Sequence, residues 1–202
     1  MPPDQRPIPK FVAEPPHDSF PYGRWAEQLG QRFLEECNEV QTTDDIGLPE
    51  QITWFPERTF ESRTYVPATA STSEGYELFG FVSFTRDENG EPESWWTRAD
   101  YTDETAEANP EWKLDLSDWE IGTWRGPRNL SANFALVWGV SLVRGGAVAT
   151  AELGPTTTDQ CEVVEDRFTL ISLDGWTGDL VEVKVWASTG DELAAESLYE
   201  ED

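Results

Sequence analysis

Apolar positions recur at two different periods along the chain, and the change of period divides it. Between residues 22 and 41, Ala26, Leu29, Phe33, Cys37 and Val40 fall three or four apart, with Trp25 and Leu34 at the margins. That spacing predicts one amphipathic helix over 22–41. Pro21 suits the first turn, Ser19 or Asp18 supplies a cap, and Arg32 and Glu36 lie one turn apart on the polar side. Gly47 and Pro49 end the pattern. From residue 51 the period falls to two. Runs of strand character occupy 52–55, 59–66, 76–85, 93–101, 133–143, 147–153, 161–166, 167–173, 179–188 and 192–199. Asn89-Gly90, Arg144-Gly145-Gly146 and Thr189-Gly190-Asp191 read as hairpin turns between them.

The pattern predicts a mainly β protein: an antiparallel β-sandwich or partly open barrel, with one N-terminal amphipathic helix packed on it. Ahead of the helix, seven prolines within residues 1–21 fix φ and remove donors, which favours an extended arm. Phe11 and Phe20 are its candidate anchors. The expected organisation is a Pro-rich arm over 1–21 and a single β-rich domain over 22–202, with strands from about 51 to 199.

Charge changes the picture more than length does. The 202 residues carry 14 basic against 40 acidic side chains, a net charge of −26 and a pI near 4.1. Such a field repels phosphate, so direct nucleic-acid binding is not expected. No apolar run is long enough to span a bilayer, and residues 1–16 lack the apolar core of a signal peptide; the expected location is cytoplasmic, without membrane contact. Cys37 and Cys161 are too few for a disulfide framework or a four-cysteine zinc site, and both suit buried positions. His17 is the single histidine, which excludes two- and three-histidine metal centres within one chain. No Gly-x-Ser-x-Gly elbow, dinucleotide fingerprint or P-loop occurs. No catalytic residue, metal site or cofactor is therefore expected, and a non-catalytic protein is favoured over an enzyme.

The sharpest local feature runs from Asp87 to Glu120. It holds twelve carboxylates against Arg98 and Lys113, and five of the ten tryptophans fall in or just after it. Carboxylates attract cations, and aromatic faces add contact area and cation–π attraction. The candidate binding residues are Trp95, Trp96, Asp103, Glu104, Glu107, Trp112, Trp119 and Trp124, followed by Arg125 and Arg128, whose planar forks suit an anion or the chain's own acids. A solvated acidic loop with its tryptophans turned into the core explains the same residues without a ligand. Three functional readings follow. An acidic accessory or assembly protein would bind a basic protein partner through this surface and the arm; a homo-oligomer is compatible with it. A carbohydrate- or small-molecule-binding β module, hydrolytic or not, would use the tryptophans as platforms. A DNA mimic would present its acids in regular rows to a nucleic-acid-binding protein. The first asks least of the residues present.

Overall fold

The period-two part of the chain forms three antiparallel sheets, and the helix lies across the outer face of the first. The computed structural model describes residues 13–14, 20–126 and 129–199. Sheet A contains β1 (Ala13–Glu14), β2 (Pro49–Trp54), β3 (Arg58–Phe60), β4 (Arg63–Thr72), β5 (Glu77–Arg86) and β6 (Pro92–Thr102), in the order β1-β3-β4-β5-β6, with β2 also pairing β4. β7 (Leu114–Arg125), β8 (Ser131–Ser141) and β11 (Arg167–Leu173) make sheet B, in the order β11-β8-β7. Sheet C runs from β10 (Thr156–Glu162) through β9 (Gly146–Leu153) to β13 (Asp179–Ala187), which pairs both β12 (Gly175–Trp176) and β14 (Glu192–Ser197).

The helix α1 spans Gly23–Cys37, shorter than the expected 22–41, and ends before Val40 of its apolar stripe. Tyr22 holds the N-cap position in extended geometry without a side-chain hydrogen bond. The expected caps Ser19 and Asp18 lie outside the described residues. Leu29, Phe33 and Cys37 bury against Val66, Ala68, Ala70, Leu78, Val82 and Phe84, which project from one face of sheet A. Arg32 does not join Glu36: its guanidinium lies 4.0 Å from the centroid of the Trp95 ring, and Glu36 instead meets Arg98 at 3.4 Å.

From the other face of sheet A, Phe60 stacks on Phe134 at 4.7 Å and Phe79 meets Trp138 at 6.5 Å. These contacts make sheet B a middle layer, and Phe134 to Gly139 of β8 are buried without a break. A strand covered on both faces reads as a continuous apolar run, as here. Beyond it, Ala149, Ala151, Val181, Val183 and Val185 of sheet C close the core. Gly139 lets β7 approach, because a Cβ there would come within 2.5 Å of the Asp115 carbonyl.

Four sequence expectations need correction. The run 59–66 is not one strand: Glu61 and Ser62, with φ of 48° and 67°, turn β3 back on β4. Arg144-Gly145-Gly146 is a crossover and not a hairpin, because β8 pairs β7 and β11 while β9 pairs β10 and β13. The run expected at 161–166 sits earlier, at Thr156–Glu162. The alternation predicts no strand between 101 and 133, and Leu114–Arg125 is a twelve-residue strand.

One buried ion pair ties the three layers. Arg58 on β3, 2% exposed, donates through Nη2 to the Asp159 carboxylate on β10, and the Ile171 backbone N–H on β11 donates to the same carboxylate at 2.8 Å. Removing one partner of a buried pair strands a charge, at a cost of about 3–5 kcal/mol, whereas replacing both by apolar groups is close to neutral. Asp159→Ala should therefore lower stability by about 3–5 kcal/mol in urea unfolding, and Arg58→Met with Asp159→Leu should restore most of it. A single variant as stable as the parent would show that the pair does not hold the layers.

Candidate functional site

Each sheet has one lateral edge that is tied to its neighbours and one that is free. On the tied side, β3, β11 and β10 are joined by Arg58, Asp159 and Ile171, by a 2.7 Å bond between the Thr158 and Ser172 hydroxyls, and by Arg167 donating to the Trp54 carbonyl at 2.6 Å. On the open side the terminal strands are β6, β7 and β14, none of which pairs a further strand among the described residues. A side-chain hydrogen bond crosses between layers B and C there: Tyr199 Oη donates to Asp118 Oδ2 at 3.0 Å.

Two grooves flank β14 on this open side. One, of about 530 Å³, lies against β7 and is lined by Glu104, Trp112, Leu114, Leu116, Asp118, Glu196, Ser197 and Leu198. The other, of about 710 Å³, is lined by Gly154, Gly178, Asp179, Leu180, Glu182, Glu196, Ser197 and Tyr199. They share Glu196 and Ser197, so both border β14. Among the described residues no lysine or arginine lines either groove. Lys184 is held on the outer face of sheet C by Glu152, Glu182 and Glu192 at 3.2–3.4 Å. Burial raises the carboxyl of Asp118 above its ordinary range, nearby Asp174 adds to the effect, and the bond from Tyr199 works against it. Burial also raises the Tyr199 hydroxyl, as do Asp118, Asp174 and Glu120.

A second carboxylate pair lies between layers A and B. Glu77 opens β5 and Asp115 lies near the start of β7. Burial first, and Asp115 next, push Glu77 up to about 7, against a hydrogen bond from Thr69. Burial raises Asp115 as well.

The structure distributes the sequence-derived candidates over several places. Glu104 and Trp112 line one groove beside β14. Asp103 and Glu107 are exposed on the loop between β6 and β7. Trp95 packs on Trp25 and Phe84 beneath the helix, while Trp96 turns to Phe81. Trp119 is a layer contact, set against Phe79 and Phe81, and Trp124 meets Trp176 at 5.2 Å. Arg125 is exposed at the end of β7; Arg128 and the arm anchor Phe11 lie outside the described residues. Phe20 is covered by the chain's own Arg167, 3.7 Å above its ring. Both cysteines are buried with their thiols pushed up to about 12. Sequence reasoning missed Glu77, Asp115, Asp118, Glu196 and Tyr199 as site residues. The legible signal was the alternation Leu114-Asp115-Leu116, which places acids on a strand.

Among the described residues no group of three or more side chains is arranged to hold a metal ion, and no helix is long and apolar enough to cross a membrane. No family model, curated protein or solved structure matches the chain.

Glu77 links the site to pH. Its carboxyl, ordinary pKa near 4.5, keeps its proton in the folded chain up to about 7. Between those values the folded state binds more protons than the unfolded state, so this group's stabilisation is full below about 4.5 and is lost as pH rises through about 7. Wild-type stability should fall more steeply than that of Glu77→Gln between pH 5 and 8, by a difference of about 1–3 kcal/mol. The self-repulsion of the acidic chain acts on both proteins, so parallel curves in denaturant titrations across that range would remove Glu77 from the account.

Proposed function

We propose that this chain is a non-catalytic acidic accessory protein that engages a basic protein partner through its open side. The observation that carries the reading is the pair of grooves beside β14: Glu104, Asp118 and Glu196 line one, where Trp112 adds an aromatic face, Asp179 and Glu196 line the other, and among the described residues neither is lined by a lysine or arginine. A concave surface of one charge steers an oppositely charged partner and speeds encounter, while an aromatic ring supplies contact area for arginine or lysine stems. Phe20 is engaged by the chain's own Arg167, so the reading rests on the open side and not on the arm.

The test compares the parent with a triple variant, Glu104→Gln, Asp118→Asn and Glu196→Gln, as baits in a native lysate, with the captured protein identified and its association rate measured against salt. The expected result is a basic protein retained by the parent, its on-rate falling as ionic strength rises, with affinity reduced about tenfold or more in the variant. Equal capture by both baits overturns the reading.

A further inference from the structure

The three free edges of the open side differ in how their backbones are protected. On β6, Arg98 donates to the Thr97 carbonyl at 3.0 Å, Arg63 to the Ser94 carbonyl at 2.8 Å, and the Tyr101 N–H is taken by Asp100 Oδ1 at 2.8 Å. The helix also leans on this strand through Arg32 on Trp95 and Glu36 on Arg98. β14 is protected by brevity, with six residues. β7 has neither defence. It runs for twelve residues, pairs β8 alone, and among the described residues no side chain hydrogen-bonds to its backbone. Chains usually blunt such edges, because a row of unpaired N–H and C=O groups templates another strand. An alternating row of backbone groups on Leu114–Glu120, ahead of the bulge between Glu120 and Gly122, points away from β8 and is available for one.

The side chains of β7 state what that strand should carry. The register sets Leu116 and Asp118 opposite Gly139 and Val137, on the face towards sheet C, and Asp115, Ser117 and Trp119 on the face towards sheet A. Acids therefore stand on both faces of one edge, Asp118 with Glu196 nearby and Asp115 with Glu77 nearby. No basic residue occurs between Lys113 and Arg125.

We propose that β7 receives an extended basic segment of a partner protein as an added strand, with cationic side chains reaching Asp118 and Glu196 on one face and Asp115 and Glu77 on the other. The proposal rests on the basic-partner reading above and adds the strand and the mode. In β-strand addition the main chain supplies affinity and alternate side chains supply specificity. A second copy of this chain is a poor occupant, because β7 against β7 sets acids opposite acids in a dimer of two chains that each carry a net charge of −26.

Calorimetry on the full chain tests this with a short peptide of repeated Arg-Arg-Val-Val, which sets arginine on both faces of an extended strand, and with the same peptide N-methylated at every residue. The plain peptide should bind and protect amides of Leu114–Glu120 from hydrogen exchange. Methylation along the pairing edge should weaken binding about tenfold or more, and Asp118→Asn with Glu196→Gln should weaken it by a similar factor. Equal binding of plain and methylated peptides overturns strand addition and leaves the basic-partner reading standing. Failure of both peptides and of polyarginine to bind overturns both. Self-association with β7 amides protected in the absence of peptide overturns the choice of partner.

Discussion

The packing of the three layers depends on the Arg58–Asp159 pair. A register shift between Thr157 and Asp159 interrupts β10 and sets Asp159 where Arg58 of sheet A and the Ile171 N–H of sheet B can both reach it. Two of the Arg58 nitrogens, Nε and Nη1, are buried without a partner among the described residues. A pair with unmet donors is a weak source of net stability, since desolvation offsets much of the attraction. What it supplies is position. Apolar layers slide at little cost, whereas a buried guanidinium tolerates one register only, and the three strands that meet at Asp159 are thereby fixed.

That arrangement governs where charge is left over. The chain has few cations, and several are committed inside or between layers: Arg58 to Asp159, Arg167 to the Trp54 carbonyl and Phe20, Arg63 to Ser83 and Ser94, Lys184 to three glutamates. Arg58 and Arg167 place their compensated charge on the tied side. Among the described residues no lysine or arginine lines the two grooves beside β14, and the same topology leaves one edge of β7 without a partner strand there.

Much of the fold was legible because it is local. The stripe Leu29-Phe33-Cys37 reported the buried face of the helix, and Asn89-Gly90 and Thr189-Gly190-Asp191 marked true hairpins, with Gly90 and Gly190 at positive φ. β7 escaped because a middle-layer strand has two covered faces. Leu116 serves one and Trp119 the other, so the alternation of Leu114-Asp115-Leu116 dissolves beyond it, and Asp115 and Asp118 imitate a solvated loop. The tryptophans misled for a related reason: Trp95 and Trp96 are neighbours in sequence, yet Trp95 packs on Trp25 beneath the helix while Trp96 joins Trp119 on Phe81. Arg58 and Asp159 lie 101 residues apart, and Asp118 meets Tyr199 across 81, separations that leave no periodic trace.

The acidity itself has two readings, and burial separates them. Carboxylates that merely keep a protein dissolved belong on exposed turns, as Asp87, Glu88 and Glu91 do around the hairpin after β5. Solvation gains nothing from acids set half-buried on a strand, where desolvation works against their charge. Asp115 and Asp118 occupy such positions, and burial raises both. A chain under selection for solubility alone would do as well with serine or threonine at either place, at lower electrostatic cost. An incoming cation, by contrast, restores to each carboxylate the stabilisation that water no longer supplies, and it does so most strongly where the local dielectric is lowest. Acids whose charge opposes folding are therefore ones that a basic partner would reward, and Asp115 and Asp118 lie on the strand whose outer edge has no partner strand among the described residues.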